Sequence, residues 1–247
     1  MELFWWNKKK NWGDLLSPLL LNHFAKVDAV WSPSEACEIV STGSVLDLLP
    51  VTGYRGIVAG TGTLHASARI DLREATVLGI RGRLTARCLQ LRSGTYTLGD
   101  PGLLASELVP TQEKKYPLGV IPHWTDDKLY TRELNRSIKY RFTSPHLINI
   151  NQDPIAVIKE IASCERVITS SLHGVIVADS FRIPRRVEKF DSMFNAHEGG
   201  THKFDDYASS IDQPIEWGKM QLAPRYKIEE IQSNLFKMFK EINATSQ

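Results

Sequence analysis

The stretch Arg166-Val167-Ile168-Thr169-Ser170-Ser171-Leu172-His173-Gly174-Val175-Ile176-Val177-Ala178-Asp179-Ser180-Phe181 decides the fold. A short β-branched run (166–169) predicts a buried strand, a serine-rich turn follows, and the apolar run 175–181 predicts a helix. The same grammar extends to either side. Residues 154–164 predict a helix before it, 183–187 a strand after it, and 118–122 and 146–150 two further strands.

The N-terminal half repeats the pattern. Leu3 to Trp6 predicts a first strand, which enters the polar turn Asn7 to Asp14 and then a helix marked by Leu15, Leu16, Leu19, Leu20 and Phe24. Strands at 38–40, 56–59, 76–80 and 96–98 run into Ser41-Thr42-Gly43-Ser44, Gly60-Thr61-Gly62-Thr63, Arg81-Gly82-Arg83 and Gly99-Asp100-Pro101-Gly102. Each turn precedes an apolar helical segment. Strands alternating with helices indicate α/β structure with parallel, helix-covered sheets. A polar break at 110–117 predicts a linker, which gives two Rossmann-like halves facing each other across a cleft, residues 1–112 and 118–224. Residues 225–247 predict a final amphipathic helix through Ile228, Ile231, Leu235, Met238, Phe239 and Ile242.

Composition excludes several classes. The 247 residues are 42% hydrophobic and 23% charged, with a net charge of +2, so neither disorder nor a nucleic-acid partner is indicated. No stretch reaches the ~20 apolar residues of a spanning helix, and no leader is visible, which predicts a cytoplasmic protein. Cys37, Cys88 and Cys164 fit no metal-ligand spacing and are expected as buried free thiols. No His/Asp/Glu cluster has zinc spacing, so no metal is expected.

Ligands of open parallel sheets bind beyond the carboxyl ends of the strands, where this chain places its glycine turns. Amides and hydroxyls at helix starts suit an anion. The dinucleotide and P-loop fingerprints are both absent. Three arginines within seven positions suit a grip on phosphate or carboxylate in bidentate fashion; Arg81 is the one read in that role, while Arg83 and Arg87 read as exposed helix-face residues. His173 is placed at a strand end beside a helix start, whose dipole favours a neutral imidazole suited to acid/base work.

Taken together these turns resemble the polysaccharide pyruvyl transferase family. The resemblance is carried by Asn11-Trp12-Gly13-Asp14, Ser41 to Ser44, Gly60 to Thr63, Ile80-Arg81-Gly82, Leu98 to Pro101, Ser170 to Gly174 and Lys203-Phe204-Asp205-Asp206-Tyr207. It implies a fold similar to the GT-B glycosyltransferases. It implies phosphoenolpyruvate as donor, no cofactor, and a sugar acceptor, often lipid-linked, with transient contact at the inner membrane's cytoplasmic face. The N-terminal half would serve the acceptor and the C-terminal half the donor. By motif, Arg81 anchors the donor's anionic groups and His173 is the catalytic acid/base, with Ser171, Leu172 and Gly174 beside it. Arg185 and Arg186 both fit the basic position after the Ser-Leu-His-Gly helix, and Lys203 a further one.

On the acceptor side stand Asn11, Gly62, Thr63 and His65. Asp14 is suited either to orient a sugar hydroxyl or to cap its helix, and Trp124 either to stack on a sugar ring or to pack. Two other functions fit the same architecture: a nucleotide-sugar glycosyltransferase and a non-catalytic sugar-binding homologue.

Overall fold

The computed structural model describes residues 1–126, 144–188 and 200–245. The stretch 192–206 reads from sequence as a polar loop at the site; residues 192–199 lie outside the described ones, and 202–206 are helical instead.

Each half contains one sheet. In the first, β1 (Glu2–Phe4), β2 (Val30–Trp31), β3 (Ile39–Val40), β4 (Ile57–Ala59), β5 (Thr76–Ile80) and β6 (Thr97–Leu98) are ordered 2-1-3-4-5-6, all parallel. In the second, β7 (Gly119–Ile121), β8 (His146–Leu147), β9 (Val167–Thr169), β10 (Arg185–Val187) and β11 (Met220–Gln221) are ordered 11-10-9-7-8. Only the β10–β11 pair is antiparallel. The two orders share one logic. The chain winds out to one side of its first strand and then returns to build on the other side. Such a reversal opens a crevice beyond the carboxyl ends of the two strands that flank it. The crevices therefore fall between β1 and β3 in the first sheet and between β7 and β9 in the second. Asn11 to Asp14 and Gly43 belong to the first, and Trp124 and His173 to the second.

Burial explains the strands. Val167–Thr169 and Gly119–Ile121 are buried throughout, as expected of parallel strands covered on both faces. After α2 (Arg83–Cys88) and α3 (Pro154–Ala162), helix α4 (Leu172–Ser180) is buried at every position, so it has no solvent-facing side. It begins at Leu172, three residues before the predicted start, which places His173 and Gly174 in its first turn. Gly174 permits this entry, because a Cβ there would stand 2.3 Å from Thr169 Oγ1.

Helix α4 packs on the 3₁₀ segment Pro101–Glu107 of the first half, where a Cβ on Gly102 would meet Ile176 at 3.0 Å. Asp100 starts this segment by accepting the Gly102 amide at 2.9 Å. One apolar core accordingly runs from Leu3, Leu16 and Leu103 through Ile121 and Ile176 to Phe239. The segment predicted as a linker is tied to the second sheet: Lys114 Nζ donates to the carbonyls of Ala162 and Cys164, and Tyr116 bridges to Cys164.

Helix α6 (Arg225–Thr245) returns to the first half. Its predicted stripe is buried, Phe24 meets Phe236 and Phe239 at 5.3 and 5.7 Å, and Gln232 donates to the Leu103 carbonyl. Helix α5 (His202–Ser210) joins the halves, with Phe204 and Tyr207 in the shared core and Asp206 against the first sheet. Three expectations are corrected. The edge strands β2 and β11, two residues each, carry no periodic signal and were not predicted. The first helix is a short α1 (Leu16–Leu20) continued by a π-helical turn, Leu21–Ala25. Cys88 is half-buried, while Cys37 and Cys164 are buried free thiols as expected.

Among the described residues no helix is long and apolar enough to cross a membrane, and no cluster of His, Cys, Asp or Glu has the makings of a metal site.

Candidate active site

The strand ends of both sheets converge on a buried, charged cluster. Its first layer is the stacked glycine turns. The Gly62 amide donates to the Gly43 carbonyl at 3.0 Å, and Thr61 Oγ1 donates to the same carbonyl at 2.9 Å. Gly43 has φ +102° and Gly60 φ +96°, conformations that glycine adopts without strain. Gly62 is required for a different reason: a Cβ would lie 2.4 Å from the Arg81 guanidinium carbon.

Arg81 is fully enclosed. Its Nε donates to Asp206 at 2.9 Å, Nη2 donates to the Thr63 carbonyl at 2.7 Å, and Nη1 bonds the Gly43 carbonyl and the Ser44 hydroxyl. The guanidinium expected to grip the donor is thus engaged in holding two turns and α5 together. Asp206 also accepts from the Thr85 amide and hydroxyl, both at 2.7 Å. Thr63 Oγ1 lies 2.9 Å from His202 Nε2 and 3.3 Å from Thr85 Oγ1. This lattice fixes Lys203, between His202 and Phe204, at the base of the cluster. Helix α5 comes so close that a Cβ on Gly82 would overlap the Asp206 carbonyl.

Lys203 is half-buried, its ammonium 5.7 Å from the Phe204 ring centre. Burial and the charge of Arg81 bring it down to about 8, against the opposing pull of Asp14 and Asp126. His173 is 8% exposed, and its Nε2 has no hydrogen-bond partner among the described residues. Its ring lies against Gly13, where a Cβ would stand 2.0 Å from Nδ1, and Trp12 approaches edge-on at 6.2 Å. The ring is held neutral, pushed down to about 3 by burial first and then by the cations Lys203 and Arg81. Burial and these two cations account for the neutral ring that the sequence reading ascribed to the helix dipole.

This shift has a testable consequence. Between the ordinary 6.5 and about 3, the unfolded histidine binds a proton that the native one refuses. Stability therefore falls as pH drops through that window, by up to about 1.4 kcal/mol per unit from this group. Urea melts of wild type and His173→Gln at pH 7 and pH 4.5 should show the variant gaining relative stability at the lower pH. An unchanged difference would place a charged ring in the native state.

Asp14 does not cap α1, whose N-cap is Leu15 without a side-chain bond. Its carboxyl is buried, accepts Asn11 Nδ2 at 2.6 Å, and places Oδ1 over Gly43. Asn11 also accepts the Gly13 amide at 3.2 Å, so one residue braces both the His173 contact and Asp14. Asp100, also buried, has one carboxyl oxygen without a partner among the described residues. Burial raises it to about 6.

The remaining expected residues are dispersed. Ser171 is the N-cap of α4 but makes no side-chain cap bond, and Ser170 Oγ accepts the His123 amide. Leu172 is buried in the core. Arg185 is enclosed in the second sheet, with Asp179, Gln213 and Gln221 around its guanidinium. Arg186, on the opposite face of β10, pairs with Glu188 at 2.8 Å. His65 is on the surface, 3.3 Å from Asp47. Trp124 stacks on Trp6 at 5.8 Å with Lys9 above its ring, an aromatic contact between the two sheets' strand ends. Sequence reasoning passed over Asp100, Thr85, Asp206 and His202 as site residues. Asp100 and Asp206 stood inside quoted motifs, whereas nothing local marks Thr85 or His202.

The strand ends of this parallel α/β protein thus bring together a neutral histidine, a lysine and the buried carboxyls of Asp14 and Asp100, groups whose chemistry suits binding an anion and moving protons. Residues 56–187, more than half of the chain, match the family model described as polysaccharide pyruvyl transferase, and the chain belongs to that family. It is 25% identical over 181 residues to the succinoglycan biosynthesis protein ExoV of Rhizobium meliloti (strain 1021), covering 70% of this chain and 53% of that protein. It is 31% identical over 165 residues to an uncharacterized protein of Acanthamoeba polyphaga mimivirus, covering 62% of this chain and 54% of that one. The chain thus spans about half the length of these relatives. No solved structure gives a significant match.

Proposed function

We propose that the protein transfers the pyruvyl unit of phosphoenolpyruvate to a pair of sugar hydroxyls on an exopolysaccharide or its lipid-linked repeat unit. A pyruvate ketal forms and phosphate is released. The observation that carries this reading is the pairing of Lys203 with a neutral His173 at the converged strand ends, in a chain of this family. Lys203 and the turn amides attract the donor's phosphate and carboxylate. Arg81 acts through the turns that it holds. His173, neutral and with Nε2 unengaged by the described residues, takes the proton of the attacking hydroxyl. The two sheets then act as two Rossmann-like halves of a GT-B-like arrangement, with the Trp6–Trp124 stack at the acceptor entrance.

A thermal-shift titration tests the donor. A ligand present at a hundred times its Kd adds ~2.7 kcal/mol, or about 5–10 °C for a chain of this size. Phosphoenolpyruvate should produce that shift, and Lys203→Gln should lose most of it. UDP-sugars and inorganic phosphate serve as controls. Stabilisation by a UDP-sugar alone would favour a glycosyltransferase, and failure of phosphoenolpyruvate to stabilise the wild type would defeat the reading.

A further inference from the structure

We propose that Asp14 is the acid that delivers the proton to the methylene carbon of the donor, with His173 as the base that works opposite it. The inference rests on the pyruvyl-transfer reading and assigns its proton source.

Three observations place Asp14 there. It sits at the β1/β3 crevice, where the strand order of the first sheet reverses. Its neighbour Gly13 is in direct contact with the His173 ring. Asn11 holds one carboxyl oxygen at 2.6 Å, while the other lies over the bare Cα of Gly43. A helix-capping aspartate would spend that oxygen on an amide, and this one does not.

The groups that face Asp14 set its proton affinity. Burial, the largest influence, raises it to about 7. Lys203 from α5 and the Asn11 bond act in the lowering direction, and Asp100 after β6 raises it further. A carboxyl poised there can hold a proton near neutral pH and release it, whereas His173 has none to give.

The protons and electron pairs balance. The donor's alkene pair takes the Asp14 proton, forming a C–H bond and leaving Asp14 as carboxylate and the adjacent carbon as an oxocarbenium. A sugar hydroxyl oxygen bonds to that carbon and passes its proton to His173. Phosphate departs with the C–O pair and receives the proton from His173. The second hydroxyl closes the ketal and returns its proton to Asp14, so both residues end as they began.

The test has two readouts on the intact protein. In the first, the carboxyl carbon of Asp14 is followed by ¹³C NMR, assigned as the aspartate signal missing in Asp14→Asn. It should half-titrate near neutrality without any substrate. A carboxyl already ionised at pH 5 would overturn the proposal whatever the enzyme's substrate. In the second, phosphate release from phosphoenolpyruvate is measured with methyl hexopyranosides bearing free diols. Asp14→Asn should lose ~10²–10⁴-fold in turnover while keeping the phosphoenolpyruvate thermal shift, and Asp14→Glu should recover part of the loss. Asp14→Asn turning over like wild type would also overturn it. If wild type neither binds phosphoenolpyruvate nor releases phosphate, pyruvyl transfer is the reading that fails, and Asp14 loses its role as proton donor with it.

Discussion

Arg81→Met should lower the stability of the protein by about 3–5 kcal/mol, the cost of removing one member of a buried ion pair. Arg81 and Asp206 are both fully enclosed, 2.9 Å apart. Methionine fills much of the same volume, so the loss is electrostatic rather than a cavity. Asp206 would retain the Thr85 amide and hydroxyl but carry an uncompensated charge. The Thr63 carbonyl would lose its Arg81 donor as well, while the Gly43 carbonyl would keep the Gly62 amide and the Thr61 hydroxyl. Denaturant unfolding gives the magnitude, and a fall in Tm on the order of 10 °C should accompany it. Adding Asp206→Asn to the variant should restore part of the loss, because it removes the orphaned charge. A loss below 1 kcal/mol would show Arg81 facing solvent, and would return it to the role of direct donor anchor read from the sequence.

That contrast shows what a linear sequence can and cannot reveal. The alternation of strands and glycine turns was enough to locate two parallel-dominated sheets, because central strands such as Gly119–Ile121 and Val167–Thr169 are buried throughout and their apolar runs are continuous. Residues 76–80 were read to the residue. The groups of the candidate site were legible wherever chemistry and backbone demand coincide. His173 and Gly174 are one such place, since the same turn that presents the imidazole also needs a glycine to pass Thr169. Gly62 and Arg81 are another.

What stayed hidden was the partner of each charge. Arg81 and Asp206 are 125 positions apart and Thr63 and His202 are 139 apart, so nothing local distinguishes a guanidinium that grips a ligand from one that grips another helix. Arg185 illustrates the same limit. Its basic character after Pro184 suggested a ligand, yet Asp179, Gln213 and Gln221 enclose it. Alternation along β10 then directs Arg186 to the other face, where the sequence offered the two arginines as equals.

His173→Gln is expected to reduce turnover by ~10²–10⁴-fold, equivalent to roughly 2.7–5.5 kcal/mol of barrier, while leaving the fold intact. The two halves of that expectation have separate grounds. The fold should persist because Nε2 bonds to none of the described residues, so glutamine removes no hydrogen bond from it, and its slender amide can lie along Gly13 where the ring did. Activity should fall because the other basic side chains near the strand ends are charged or engaged: Lys203 is held mostly protonated at neutral pH, at about 8, His202 is bonded to Thr63, and His123 is bonded to Thr125. Phosphoenolpyruvate affinity should change little, since the donor's charge is met by Lys203 and the turn amides, so the loss should appear in kcat rather than KM. Retained turnover would remove His173 from the chemistry. A loss confined to KM would make it a binding group, and the proton of the attacking hydroxyl would then have to leave with the phosphate itself.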